Sequence, residues 1–161
     1  MFALRRAAAQ APRRLARGYA EVASSSDKLR LSLVLPHEAI FKSQDVVQVN
    51  LAAESGDLGV LANHVPSIES LKPGILEVIE GNSNESKKWF VSGGFANIHP
   101  NNTLTVNAVE AYPLDAFSPE AIRSGLAEAQ RVASGSGTEE EKAEAAIEVQ
   151  VYEALQTALK A

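Results

Sequence analysis

Leu29, Leu31, Leu33 and Leu35 alternate with Arg30, Ser32, Val34 and Pro36, and Val47, Val49 and Leu51 alternate with Gln48 and Asn50. A two-residue period turns one face of an extended chain toward a core and the other toward water, so both runs predict half-buried strands. Leu104, Val106 and Ala108 repeat the signal. Residues 74–79 and 88–92 are apolar runs separated by Glu80-Gly81-Asn82-Ser83-Asn84-Glu85, whose small polar residues predict a hairpin loop. Short strands with frequent turn signals across residues 29–113 predict a sandwich or a barrel. Pro36, Pro66, Pro73, Pro100 and Pro113 fall at the expected strand ends and connections, where a missing N–H costs least. Residues 54–74, dense in turn residues with apolar ones between, read as one long connection.

After Pro113 the period lengthens. Ser118 followed by Pro119 is an N-cap with proline at the first helical position, and Ile122, Leu126, Ala129 and Ala133 then recur at helical spacing to about Ser134. Ser134-Gly135-Ser136-Gly137 interrupts, and Thr138 with Glu141 forms a capping box that opens a second helix. Its apolar stripe is Ile147, Val151, Ala154, Leu155 and Ala158. Glu139, Glu140 and Glu141 lie in its first turn and Lys160 in its last, as the helix dipole favours. Residues 114–161 therefore predict an antiparallel helical hairpin behind the β-domain. Its alanine-rich stripes bury little area, so the hairpin needs a surface to dock on.

Charge separates the N-terminus from the rest. Residues 1–19 hold Arg5, Arg6, Arg13, Arg14 and Arg17 among alanines, with no acid. This is the composition of a mitochondrial transit peptide, and Arg17-Gly18-Tyr19 before Ala20 fits cleavage after Tyr19, leaving residues 20–28 as a short extension. The alternative, a basic arm for nucleic acid, would carry lysines and exposed polar residues rather than an Ala/Leu background. Without the segment, Lys plus Arg falls from 15 to 10 against 20 Asp plus Glu, and the net charge moves from −5 to −10. An acidic body argues against nucleic acid and anionic lipid as partners. No apolar run approaches the roughly 20 residues of a membrane-spanning helix.

Candidate chemistry is sparse. With no cysteine, thiol nucleophiles and Cys-ligated metals are excluded. Gly93-Gly94 sits between Ser92 and Phe95 with no lysine in range, unlike a phosphate-binding loop. His37, His64 and His99 are each isolated, without metal-ligand spacing. Ser67, His64 and Asp57 share a stretch but lack a nucleophile elbow, and read as exposed loop surface. The acids from Glu139 to Glu144 lack the Asp/Asn-Gly spacing of a calcium loop. Asn84-Glu85-Ser86 and Asn101-Asn102-Thr103 match the glycosylation pattern, by chance in a matrix protein. No catalytic, cofactor-binding or metal-binding residue is assigned.

Two blocks in the β-region carry a resemblance. Gly56-Asp57-Leu58-Gly59-Val60, followed by His64, Pro66 and Leu71-Lys72-Pro73-Gly74, resembles a segment of the epsilon/delta family of the F-type ATP synthase central stalk. Phe90-Val91-Ser92-Gly93-Gly94-Phe95-Ala96-Asn97-Ile98-His99-Pro100-Asn101 resembles that family's Ser-Gly-Gly strand pair, and the likeness covers residues 29–161. It implies a flattened β-sandwich followed by a two-helix hairpin, in a rotor part that couples rather than catalyses. The partners it implies are the gamma subunit, the c-ring, the small subunit called epsilon in mitochondria and, indirectly, the alpha/beta hexamer, on the matrix side of the inner membrane. It implies c-ring contact at Asp57, Asn63, His64 and Val65, and a gamma face or close packing at Ser92, Gly93, Gly94 and Phe95. Both sets also suit plain turn and packing roles.

Two departures qualify it. Bacterial relatives carry an Ile/Leu-Asp-x-x-Arg-Ala nucleotide motif, whereas Leu114-Asp115 is followed here by Ala116-Phe117-Ser118-Pro119, with Arg123 out of register. Ala62-Asn63-His64 replaces the common Pro-Gly-His, though asparagine tolerates the left-handed backbone that glycine supplies. The competing reading is a free-standing matrix binding module or chaperone on a β-sandwich.

Overall fold

The computed structural model describes residues 28–81 and 86–160. The segment read as a transit peptide, with Tyr19 and Ala20, the extension up to residue 27 and residues 82–85 of the expected hairpin loop lie outside them. Ten strands follow in order: β1 (Leu29–Val34), β2 (Ala39–Val46), β3 (Gln48–Ala53), β4 (Gly56–Leu61), β5 (Ser67–Leu71), β6 (Gly74–Ile79), β7 (Ser86–Val91), β8 (Gly94–His99), β9 (Thr103–Ala108) and β10 (Ala111–Pro113). After a 3-10 turn at Leu114–Ala116 come α1 (Pro119–Ala133) and α2 (Glu139–Ala158).

The alternation in the sequence decides the layers. One layer runs β10-β7-β6-β3, with β4 on the far edge of β3; the other runs β5-β8-β9-β1-β2. Between β3 and β5 the only paired residues are Ala53 and Leu71. The layers therefore meet along one edge and face each other as a sandwich. Leu29, Leu31 and Leu33 of β1 and Leu104 and Val106 of β9 pack from one side against Val49, Val60, Leu76 and Val78 from the other. At about 1.5–3 kcal/mol for each fully buried aliphatic side chain, this shared core is what holds the layers together. Phe41 meets Trp89 edge-on, ring centres 5.0 Å apart, closing one side.

The segment read as one long connection is largely β-structure. Residues 54–74 contain β4, which forms a hairpin with β3, and β5, which pairs with β8 from Ser67↔Ile98 to Leu71↔Gly94. Asp57 and Ser67 therefore sit on strands rather than on one loop. Val47 also departs from its expected place: it falls between β2 and β3 and is exposed, while Val46 before it is buried.

Both helices start as their caps dictate. Ser118 Oγ accepts the Ala121 N–H, and Thr138 and Glu141 complete the capping box. Lys160 lies beyond the end of α2, not in its last turn. The hairpin docks on the outer face of the β7-β6-β3 layer, where Phe90 and Ile75 meet Ile122, Val151, Leu155 and Ala158. Ile147 belongs to the stripe by spacing yet is 63% exposed. The α2 residues that pack with Phe90 and Ile75 run from Val151 to Ala158, and Ile147 lies one turn before them.

Candidate functional site

The residues singled out from sequence fall into three places. Asn63, His64 and Val65 form the tight turn between β4 and β5. Asn63 adopts φ +64°, a left-handed backbone that asparagine tolerates, and its N–H donates to Asn102 Oδ1 at 2.7 Å. His64 Nδ1–H donates to the Val65 carbonyl at 2.8 Å, since a carbonyl can only accept. Val65 is 74% exposed.

Asp57 does not join them. It lies at the opposite end of β4, opposite Ala52, roughly 13 Å of strand away from Leu61 at about 3.3 Å per residue. There it stands exposed, 3.7 Å from Lys72 Nζ. It borders an open groove of about 860 Å³ between the outer sheet face and α2, lined among others by Asn50, Lys72, Glu77, Lys88 and Glu153. A polar chain runs along its floor: Gln48 Nε2 donates to Asn50 Oδ1 at 2.6 Å, and Asn50 Nδ2 donates to Glu77 Oε2 at 2.9 Å. The Asn50 hydrogen bond, with help from Ser86 and Lys88, holds the Glu77 carboxyl below its ordinary range.

Ser92, Gly93, Gly94 and Phe95 divide by role. Gly93 and Gly94 have φ +152° and +139°, and a Cβ on Gly94 would run into the Asn107 carbonyl oxygen of β9. Their reason is backbone geometry and close packing. Ser92 joins the strand network through its N–H, which donates to the Glu110 carbonyl at 3.1 Å. Phe95 alone reaches out, 58% exposed.

Beside Phe95 is a residue the sequence did not single out. Ile68 on β5 is 71% exposed, and the register sets Ser70 opposite Phe95 and Asn97 opposite Ile68. Ile68 and Phe95 are therefore diagonal neighbours on the outer face of the β5-β8-β9-β1-β2 layer, within reach of each other. The available signal was a pair of large apolar residues at positions where β5 and β8 should be polar. Among the described residues, no three His, Asp or Glu side chains gather as metal ligands.

Comparison with known proteins bears on these surfaces. Residues 28–113 match the family model described as ATP synthase, Delta/Epsilon chain, beta-sandwich domain. Residues 117–157 match the fungal epsilon subunit of F1F0-ATP synthase C-terminal domain. The chain is 66% identical over 143 residues to ATP synthase subunit delta, mitochondrial, of Agaricus bisporus, covering 89% of this chain and 85% of that one. It is 53% identical over 144 residues to the protein of the same name in Saccharomyces cerevisiae, covering 89% and 88%. Among solved structures, a chain in the OSCP/F1/c-ring assembly of the Euglena gracilis mitochondrial ATP synthase superposes with a TM-score of 0.80 at 29% identity, over 86% of each chain. A chain of the Tetrahymena thermophila central stalk and c-ring shares the fold, with a TM-score of 0.56 at 16% identity over 83% and 99%. The chain thus belongs to the delta/epsilon family of ATP synthase subunits, among the mitochondrial delta chains, and is a non-catalytic part of that complex whose partners are its other subunits.

Proposed function

We propose that this chain links the gamma subunit to the c-ring at the foot of the rotor, on the matrix side of the inner membrane, and carries proton-driven rotation toward the alpha/beta hexamer. The observation that supports this most directly is the apolar outer face at Ile68 and Phe95, on the side of the sandwich away from the helices. A part that transmits torque needs a broad, apolar, obligate contact, and this face suits gamma. The Asn63–Val65 turn is read as a contact to the c-ring. Asp57, at the other end of β4, enters as a second, charged point of contact. The groove beside α2, lined by Glu54, Glu77 and Glu153 together with Lys72 and Lys88, suits the small mitochondrial epsilon subunit. Residues 1–19 are read as a transit peptide removed after Tyr19.

Affinity capture of the tagged mature protein from mild-detergent mitochondrial extract tests the reading. Gamma, c-ring, alpha and beta should co-purify, and the captured chain should begin at Ala20. Asp57→Lys and His64→Ala with Val65→Ser, made separately, should each weaken c-ring retention. A variant that leaves it unchanged removes its end of β4 from the contact. Capture of the chain alone, with intact ATP synthase left in the extract, would make the free-standing binding module the better account.

A further inference from the structure

Asn102 is the one buried polar side chain among the described residues, 7% exposed, in the turn between β8 and β9. Two distant parts of the chain converge on it. Its side-chain oxygen accepts the Asn63 N–H at 2.7 Å, and its main-chain carbonyl accepts the Arg30 N–H at 2.8 Å, at the start of β1. Its own backbone is left-handed, with φ +56°. Asparagine answers both demands, because it tolerates that backbone and offers a short acceptor.

The other bonds of the Asn63–Val65 turn are local: His64 N–H reaches the Leu61 carbonyl at 3.3 Å and His64 Nδ1 the Val65 carbonyl at 2.8 Å, while Val65 and Pro66 are exposed. A left-handed residue such as Asn63 does not continue the β3–β4 ladder, and its N–H finds its partner outside the hairpin, in Asn102. The geometry points to Asn102 as the positioning residue that fixes the Asn63–Val65 turn against the end of the sandwich, so that the turn meets its partner pre-formed. This rests on the reading of that turn as part of the stalk contact. A turn ordered before docking loses less conformational freedom when it binds, which is how a residue that touches no partner sets the strength of the contact.

Two substitutions separate the acceptor from the backbone. Asn102→Gly keeps the left-handed conformation and deletes the side-chain acceptor, whereas Asn102→Asp retains both. Amide hydrogen exchange on the assembled complex should rise at least tenfold in the 61–65 peptide of Asn102→Gly, with β1, β6 and β9 unchanged, and should stay at the wild-type rate in Asn102→Asp. Unchanged exchange in the turn overturns the assignment, as does an equal rise across the whole sandwich, which would mark a general structural role. In the same Asn102→Gly complex, ATP-driven proton pumping per ATP hydrolysed should fall at least threefold. A loosened turn with full pumping would leave the clasp standing and remove the turn from the stalk contact. If Asn102→Gly does not assemble, Asn102→Asp decides: tenfold faster exchange there, with the acceptor present, refutes the clasp.

Discussion

Glu77 is a carboxylate held ionised by its neighbours. The Asn50 amide, Ser86 and Lys88 lower its pKa below the usual 4.5 against a smaller opposing effect of burial. A depressed folded pKa adds stability above the unfolded value and loses it as the pH falls through the folded one. Glu77→Gln should therefore be less stable than wild type at pH 7, by about 1 kcal/mol or less since the groove is open to water. The gap should narrow as the pH falls below the ordinary value of 4.5 and through the lowered folded one. Urea midpoints at pH 7, 5 and 3 check this, and a gap that does not narrow over that range would mean that packing, not charge, is what the substitution removes.

Single residues also explain what the sequence disclosed. Asn63 was legible because asparagine is the usual substitute where a turn demands positive φ. Asn102 was not, since Asn101-Asn102-Thr103 reads as an ordinary polar turn, and the bond to Asn63 spans 39 residues. Asp57 and His64 stand seven positions apart and looked like neighbours, yet an intervening strand carries them to opposite ends.

The elements differ in how clearly they announce themselves. β1, β3 and β9 were plain because every second side chain enters the core. β5 was hidden because its pattern is inverted: Ile68 faces outward while Ser67 and Glu69 turn the other way, toward the edge where the layers meet. β2 was hidden by register shifts against β1 and by Ser43 at φ +50°, which break the period. The helices were legible to within a residue or two from their caps, but the face each would use was not, because Ile147 follows the same spacing as the docked residues.

The helical hairpin carries its own test. Gly125 lies inside α1, and a Cβ there would approach Tyr152 Cζ of α2 to 2.5 Å. Alanine normally stabilises a helix interior by about 1 kcal/mol over glycine, whereas forcing extra volume into a packed contact costs about 1–3 kcal/mol. The collision should win. Gly125→Ala should lower the thermal midpoint of the hairpin, and Gly125→Ala with Tyr152→Ala should be more stable than Tyr152→Ala alone. If Gly125→Ala stabilises the otherwise unchanged chain, the glycine is not there for the tyrosine ring.

On the scale of the whole molecule, the two broad sides differ. One carries the hairpin and the polar groove floor; the other presents Ile68 and Phe95 to water. Apolar side chains left in contact on a free surface favour self-association. The isolated chain should show a concentration-dependent rise in mass by light scattering, and Ile68→Ser with Phe95→Ser should hold it monomeric without shifting its thermal midpoint by more than about 0.5 kcal/mol equivalent, since exposed positions contribute little to the fold.

Because helices back only one layer, the subunit has a front and a rear, and its placement is keyed. A copy offered rear-first brings charged helix surface and the trough beside α2 to the place meant for Ile68 and Phe95, and the apolar contact is not made. The keying lies in the shape and chemistry of the single chain, so a correctly oriented stalk follows from mounting the part rather than from inspecting it afterwards.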